Sequence, residues 1–194
     1  MLPPTSKKSY PCHLKALMPP TFSYRSWYQD GDQLYHLKAV DAKPQMILNL
    51  MENSDWEACS VLADKIKDDA LNIKDIIIVL VDKYGHMKGI AALLSEDITT
   101  YSNDGPFLSA LYVSPAFRGQ GLCLDLVTMI EKEAMKRNYH HLYALAYHSQ
   151  LYERLDYHYV GHTSDDSGHF LKIFEKELGT ASSHVITKEK KCLI

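Results

Sequence analysis

The chain has 194 residues with a formal net charge of −3, from 24 acidic against 21 basic side chains, and is 46% hydrophobic and 23% charged. That is material for one domain with a proper core plus tails. It excludes a global positive field that would recruit nucleic acid or an anionic membrane, so an anionic ligand has to be held locally.

Residues 1–33 are rich in Pro, Ser and Lys without a sustained helical or strand period, which predicts an extended arm. The aromatics of "TFSYRSWYQ" in that arm are expected to pack outside the core or to serve as a substrate-side flap. "LYHLKAV" alternates as a first strand, and Pro44 suits the opening of a helix, where a missing N–H is not needed. "PQMILNLMENSDW" and "WEACSVLADKIKDDALN" carry apolar residues at three and four spacing and predict two helices, with Asp55 as N-cap of the second. "DIIIVLVDKYGHMKGIAALLSE" reads as a hairpin turning at "DKYGH", and "PFLSALYVS" as a further strand.

"LCLDLVTMIEKEAMKRN" predicts an amphipathic helix ending near Asn138. Cys123, Val127, Ile130 and Ala134 share one face, and Glu131, Lys132, Lys136 and Arg137 lie mostly elsewhere. "HHLYALAY" reads as a strand, "SQLYERLDY" as a short helix and "HFLKIFEKEL" as a closing strand. The expected organisation is an arm over 1–33, one domain over 34–178 and a disordered polar tail over 179–194.

Cys12, Cys59, Cys123 and Cys192 lack the spacing of a zinc site or a disulfide framework, so no metal is expected and the thiols read as free. The N-terminal stretch lacks the apolar core of a signal peptide, no segment is long and apolar enough to span a bilayer, and neither Leu2 nor "KCLI" fits a lipidation signal. A cytoplasmic or nuclear location is expected, with no nucleic-acid or membrane partner, as a monomer or homodimer.

The chemistry concentrates in "LYVSPAFRGQGLC", where a strand runs through a glycine-containing turn into a helix. The first N–H groups of a helix have no intrahelical partners and its dipole adds positive potential there. Gly119 and Gly121 allow φ > 0 and a close approach of backbone to an anion, and Arg118 adds charge. The turn therefore suits a phosphate or pyrophosphate. It is not a Walker loop, since Leu122 and Cys123 rather than Lys-Ser/Thr follow Gly121, and it is not a dinucleotide fingerprint, since Leu124 stands where the last Gly would be.

Arg118-Gly119-Gln120-Gly121-Leu122-Cys123 resembles the Arg/Gln-x-x-Gly-x-Gly/Ala signature of the GNAT acyltransferase superfamily, with Cys123 in place of the final Gly or Ala. "LYERLDYHYVG" resembles the family's second signature, with Leu151 for the usual aromatic and Asp156 for the usual Gly. The likeness runs from about Leu34 to Leu178. It implies a mixed α/β fold whose central, mostly antiparallel sheet of about six or seven strands is splayed between the fourth and fifth and flanked by helices.

The resemblance further implies that residues Arg118, Gly119, Gln120, Gly121, Leu122 and Cys123 hold the pyrophosphate of an acyl-coenzyme A, usually acetyl-CoA. Backbone groups of Leu111, Tyr112 and Val113 then pair with its pantetheine arm, and Arg154 lies on the cofactor side. Lys132, Lys136 and Arg137 are either contacts for a 3′-phosphate or a solvated face.

The implied reaction is attack of an amine on a thioester. An ammonium with pKa near ~10 must lose a proton, and a thiolate leaving group with pKa near ~8.5 benefits from gaining one. Tyr152 occupies the family's catalytic tyrosine position and is the candidate acid. The base stays open among Glu96, Asp97 and His148, because "FLSALYV" offers only Ser109 where many relatives carry a Glu.

The amine acceptor is open. Asp104, Asp165 and Asp166 would give its site an acidic rim suited to a cation. Two readings stand beside an N-acetyltransferase: a non-catalytic acyl-CoA-binding or regulatory module, on account of Cys123, Asp156 and the missing strand carboxylate, and an interaction protein using the arm and the C-terminal Leu193-Ile194.

Overall fold

A computed structural model describes residues 31–97, 105–165 and 168–179. The aromatic arm, Asp104, Asp166 and the tail beyond residue 179 lie outside the described residues.

The strands are β1 Gln33–Leu37, β2 Ile76–Val81, β3 Met87–Leu94, β4 Phe107–Val113, β5 His141–Ala146, β6 His158–Ser164 and β7 Phe170–Glu177. The helices are α1 Gln45–Glu52, α2 Glu57–Lys67, α3 Leu122–Lys136 and α4 Gln150–Arg154, with one 3₁₀ turn at Pro115–Phe117. The strands make one sheet in the order β1-β2-β3-β4-β5-β7-β6, antiparallel except for the β4–β5 pair. This is the mixed, mostly antiparallel sheet expected.

β2, "IIIVLV", is buried along its whole length because helices cover both faces of the sheet. Its alternate residues Ile76, Ile78 and Leu80 pack toward α3 and α4, and Ile77, Val79 and Val81 pack toward α1 and α2. Gly89 lets α3 settle onto β3. A Cβ there would lie 2.9 Å from the Tyr112 carbonyl oxygen and 3.0 Å from Leu126 Cδ1.

Three helices end on a non-glycine residue in the left-handed region: Asp69 at φ 56°, Asn138 at 61° and Asp156 at 63°. In each case the following amide reaches back five residues, Ala70 to Lys65, Tyr139 to Ala134 and Tyr157 to Tyr152, which closes the last turn as a Schellman cap. Asp and Asn tolerate this conformation better than other side-chain-bearing residues, so Asp156 performs locally what a Gly would.

Several expectations are corrected. Asp55 does not cap the second helix: Trp56 is the N-cap residue, without a side-chain cap, and the Asp55 carboxylate instead accepts a hydrogen bond from the Tyr112 hydroxyl. The inner face of α3 includes Leu122, Asp125, Leu126 and Glu133 besides Val127, Ile130 and Ala134, while Cys123 is half-buried at its flank. Glu133 is tolerated there because Lys136 at 2.6 Å and Arg137 at 2.6 Å neutralise it. Residues 158–164, to which the sequence pattern assigns no element, form the exposed edge strand β6.

Candidate active site

β4 and β5 pair at two positions, Phe107 with Tyr143 and Leu108 with Ala144, although β4 continues to Val113 and β5 to Ala146. Past Leu108 the strands part, and no described strand pairs with residues 109–113 on that side. On the other side β4 stays on β3 with a slip in register. Ser109 faces Ala92 and Tyr112 faces Ile90, so Ala110 and Leu111 together stand opposite Ala91. This is a β-bulge, which bends and twists its strand, and it carries Ala110 at a strained φ of 50°. The result is a gap edged by backbone that no described strand pairs with, into which an extended chain can add as a strand would. Leu111 and Val113 pack toward the α3 side and Tyr112 toward the α1–α2 side.

Beyond Val113 the Ser114 amide donates to the Lys88 carbonyl at 3.0 Å, and the 3₁₀ turn brings the chain to Arg118. Gly119 has φ 75°, and nothing lies within 4 Å of where its Cβ would stand. Gly121 is the N-cap of α3 with φ 82°. Among the described residues no backbone carbonyl accepts from the amides of 119–122. Those donors, the positive end of a 15-residue helix and the exposed Arg118 make an anion cradle. Arg118 is folded back across the turn, its Nε donating to the Val113 carbonyl at 2.9 Å. Gln120 is exposed, Leu122 is buried under the helix, and the acidic residue of the first turn, Asp125, is buried as well.

Cys123 stands in the first turn of α3. Burial pushes its thiol pKa up, a shift only partly offset by the amides of Leu124 and Cys123 itself. The side chain therefore stays neutral at pH 7 and adds no negative charge to the turn.

Tyr152 stands on α4 with its ring buried, stacked on Phe174 at 5.4 Å and edge-on to Tyr157 at 5.7 Å. It belongs to the same packed cluster as Leu108 and Ala144, the last pair before β4 and β5 part. Its pKa is pushed up to about 12, first by burial and then by the charge of Asp97. The phenol is thus held protonated across the physiological range.

Of the base candidates, Glu96 and His148 are both exposed. Asp97 is half-buried and accepts a hydrogen bond from the Ser109 hydroxyl of β4. One carboxylate is thereby bound to the strand that edges the gap and felt electrostatically by Tyr152. Ser109 was visible in the sequence as the polar residue of its strand, but its partner comes from a neighbouring strand's end and had no local signal. Arg154 is exposed on α4. Lys136 and Arg137 are paired with Glu133 at the far end of α3, roughly 20 Å from the glycine turn at 1.5 Å per residue.

A family model described as Acetyltransferase (GNAT) family matches residues 46–157. None of the curated proteins matches the chain. Among solved structures, an aminoglycoside 6′-N-acetyltransferase complexed with coenzyme A is 17% identical, with a TM-score of 0.56, over 77% of this chain and 99% of that one. An acetyltransferase from Streptococcus agalactiae is 15% identical, with a TM-score of 0.57, over 77% and 100%. A spermidine/spermine N-acetyltransferase from Vibrio cholerae is 17% identical, with a TM-score of 0.53, over 76% and 93%. These likenesses are of fold. The matched segment spans more than half of the chain and runs from α1 through the parted strands and the glycine turn to the end of α4, and on that ground the chain belongs to the GNAT acetyltransferase family.

Proposed function

We propose that this protein is an acyl-CoA-dependent N-acyltransferase that moves an acetyl group from acetyl-CoA to a primary amine. The observation that carries the reading is the pairing of a gap between β4 and β5 with an open, positively polarised glycine turn beyond the end of β4. In this reading Arg118 and the amides of 119–122 hold the diphosphate, and the backbone of residues 111–113 holds the pantetheine arm. The bound donor supplies an activated acyl thioester.

The chain's own residues manage the protons. Tyr152, with its pKa near 12, stays protonated and donates toward the departing sulfur. Asp97, tied to Ser109, is the best placed of the base candidates and takes the amine's proton directly or through water; Glu96 and His148 remain the exposed alternatives. Half-buried Asp165, the described member of the acidic rim, accepts hydrogen bonds from Tyr147 at 3.0 Å and His169. A cationic amine is the acceptor class these carboxylates fit.

The test combines calorimetry with coenzyme A and turnover of acetyl-CoA over an amine panel. Wild type is expected to bind and to turn over, and Tyr152→Phe to bind equally but lose about 10²- to 10⁴-fold in kcat. Binding without turnover on any amine would favour a non-catalytic module, and no binding would end the reading.

A further inference from the structure

Tyr112, near the end of β4, is the meeting point of three segments. Its ring stacks on Trp56 at 5.7 Å between centroids and 16° between planes. Its hydroxyl donates to Asp55, 57 residues away in the chain. The guanidinium carbon of Arg118 lies 5.9 Å from its ring centroid. Asp55 and Trp56 belong to the connection between α1 and α2, which the donor-binding turn does not touch in sequence.

Arg118 has five N–H donors and spends Nε on the Val113 carbonyl, so its two terminal nitrogens are the ones a phosphate would meet. A free arginine has many rotamers, and fixing them on binding reduces affinity. A cation held against an aromatic face is already oriented. The Tyr112 ring is itself only half-buried, with Trp56 stacked against it and Asp55 and Ser114 at its hydroxyl.

We infer that Trp56 is a positioning residue for the acyl donor: it fixes Tyr112, and Tyr112 fixes the Arg118 guanidinium beside the glycine turn. Donor affinity therefore depends on the α1–α2 connection. The inference rests on the reading of the turn as a diphosphate site.

The experiment is calorimetric titration of the full chain with coenzyme A at fixed ionic strength, as a double-mutant cycle between Trp56→Ala and Arg118→Gln. Trp56→Ala is expected to weaken binding roughly three- to tenfold, and to add no further loss once Arg118 is Gln. Trp56→Phe, which keeps a π face, restores binding. Trp56→Leu fills the space without one and, folding or not being controlled by its unfolding midpoint, is expected to weaken binding as alanine does. Additive losses in the cycle, or wild-type affinity in Trp56→Leu, would overturn the inference while leaving the donor site intact. Failure of the wild-type chain to bind coenzyme A would instead remove the donor site itself.

Discussion

Lys88 and Asp32 are each 1% exposed in their side chains and sit 2.8 Å apart, an ion pair sealed between β3 and the residue just ahead of β1. The Lys88 ammonium also lies 5.0 Å from the centre of the Phe117 ring, one residue before Arg118. Lys88→Met takes away the opposite charge held 2.8 Å from the buried Asp32 carboxylate and is expected to lose about 3–5 kcal/mol of stability in urea unfolding. The double variant Asp32→Leu with Lys88→Met should lose much less than the sum of the two single variants. Its coenzyme A affinity should still fall, because Phe117 has lost the cation that faces it.

At the scale of elements, the position of α3 over the sheet decides where the glycine turn at its N-terminus stands relative to β4. Gly89 sets that distance, since any side chain there meets the Tyr112 carbonyl and Leu126 together. Gly89→Ala is expected to lower stability by about 1–3 kcal/mol despite the entropy an alanine removes from the unfolded chain. Denaturant melts check the first effect, and coenzyme A titration checks the displacement of the turn. β6 shows the opposite relation between element and surroundings. "HYVGHTS" is exposed along most of its length and includes a glycine, and its register slips between Tyr159 and Gly161. What makes it a strand is the free edge of β7.

For the molecule as a whole, pH dependence enters where β1 meets the end of α3. Burial lowers the pKa of His36, against the pull of Glu133 and with the help of Lys136, Lys38 and Arg137. Its folded pKa thus lies below the unfolded value, the unfolded chain binds the proton first, and stability falls as pH drops below about 6.5. The slope is at most about 1.4 kcal/mol per pH unit for one proton. His36→Gln should remove that component when urea unfolding is compared at neutral and mildly acidic pH. Glu133 adds a second, more acidic component. Burial raises its pKa, but the hydrogen bonds from Lys136 and Arg137 more than offset this and hold it below the usual glutamate value. Its contribution is present above the ordinary glutamate range and is lost on further acidification.

What the sequence determined by itself is everything whose cause is local. The apolar runs of β2 and β3, the helical spacing of α2 and α3 and the turn from Arg118 to Cys123 are each written within one short segment, and so were legible along with the family signature they carry. The tertiary structure decided what needs two distant segments to meet. The hydrogen bond of Ser109 to Asp97, the burial that holds Tyr152 protonated and the stack of Trp56 on Tyr112 all arise between segments brought together by the sheet, as does the parting of β4 from β5, which the sequence carried only through the family likeness. A side chain's partner and its protonation depend on what packs around it, and that neighbourhood has no period or spacing to be read along one strand of sequence.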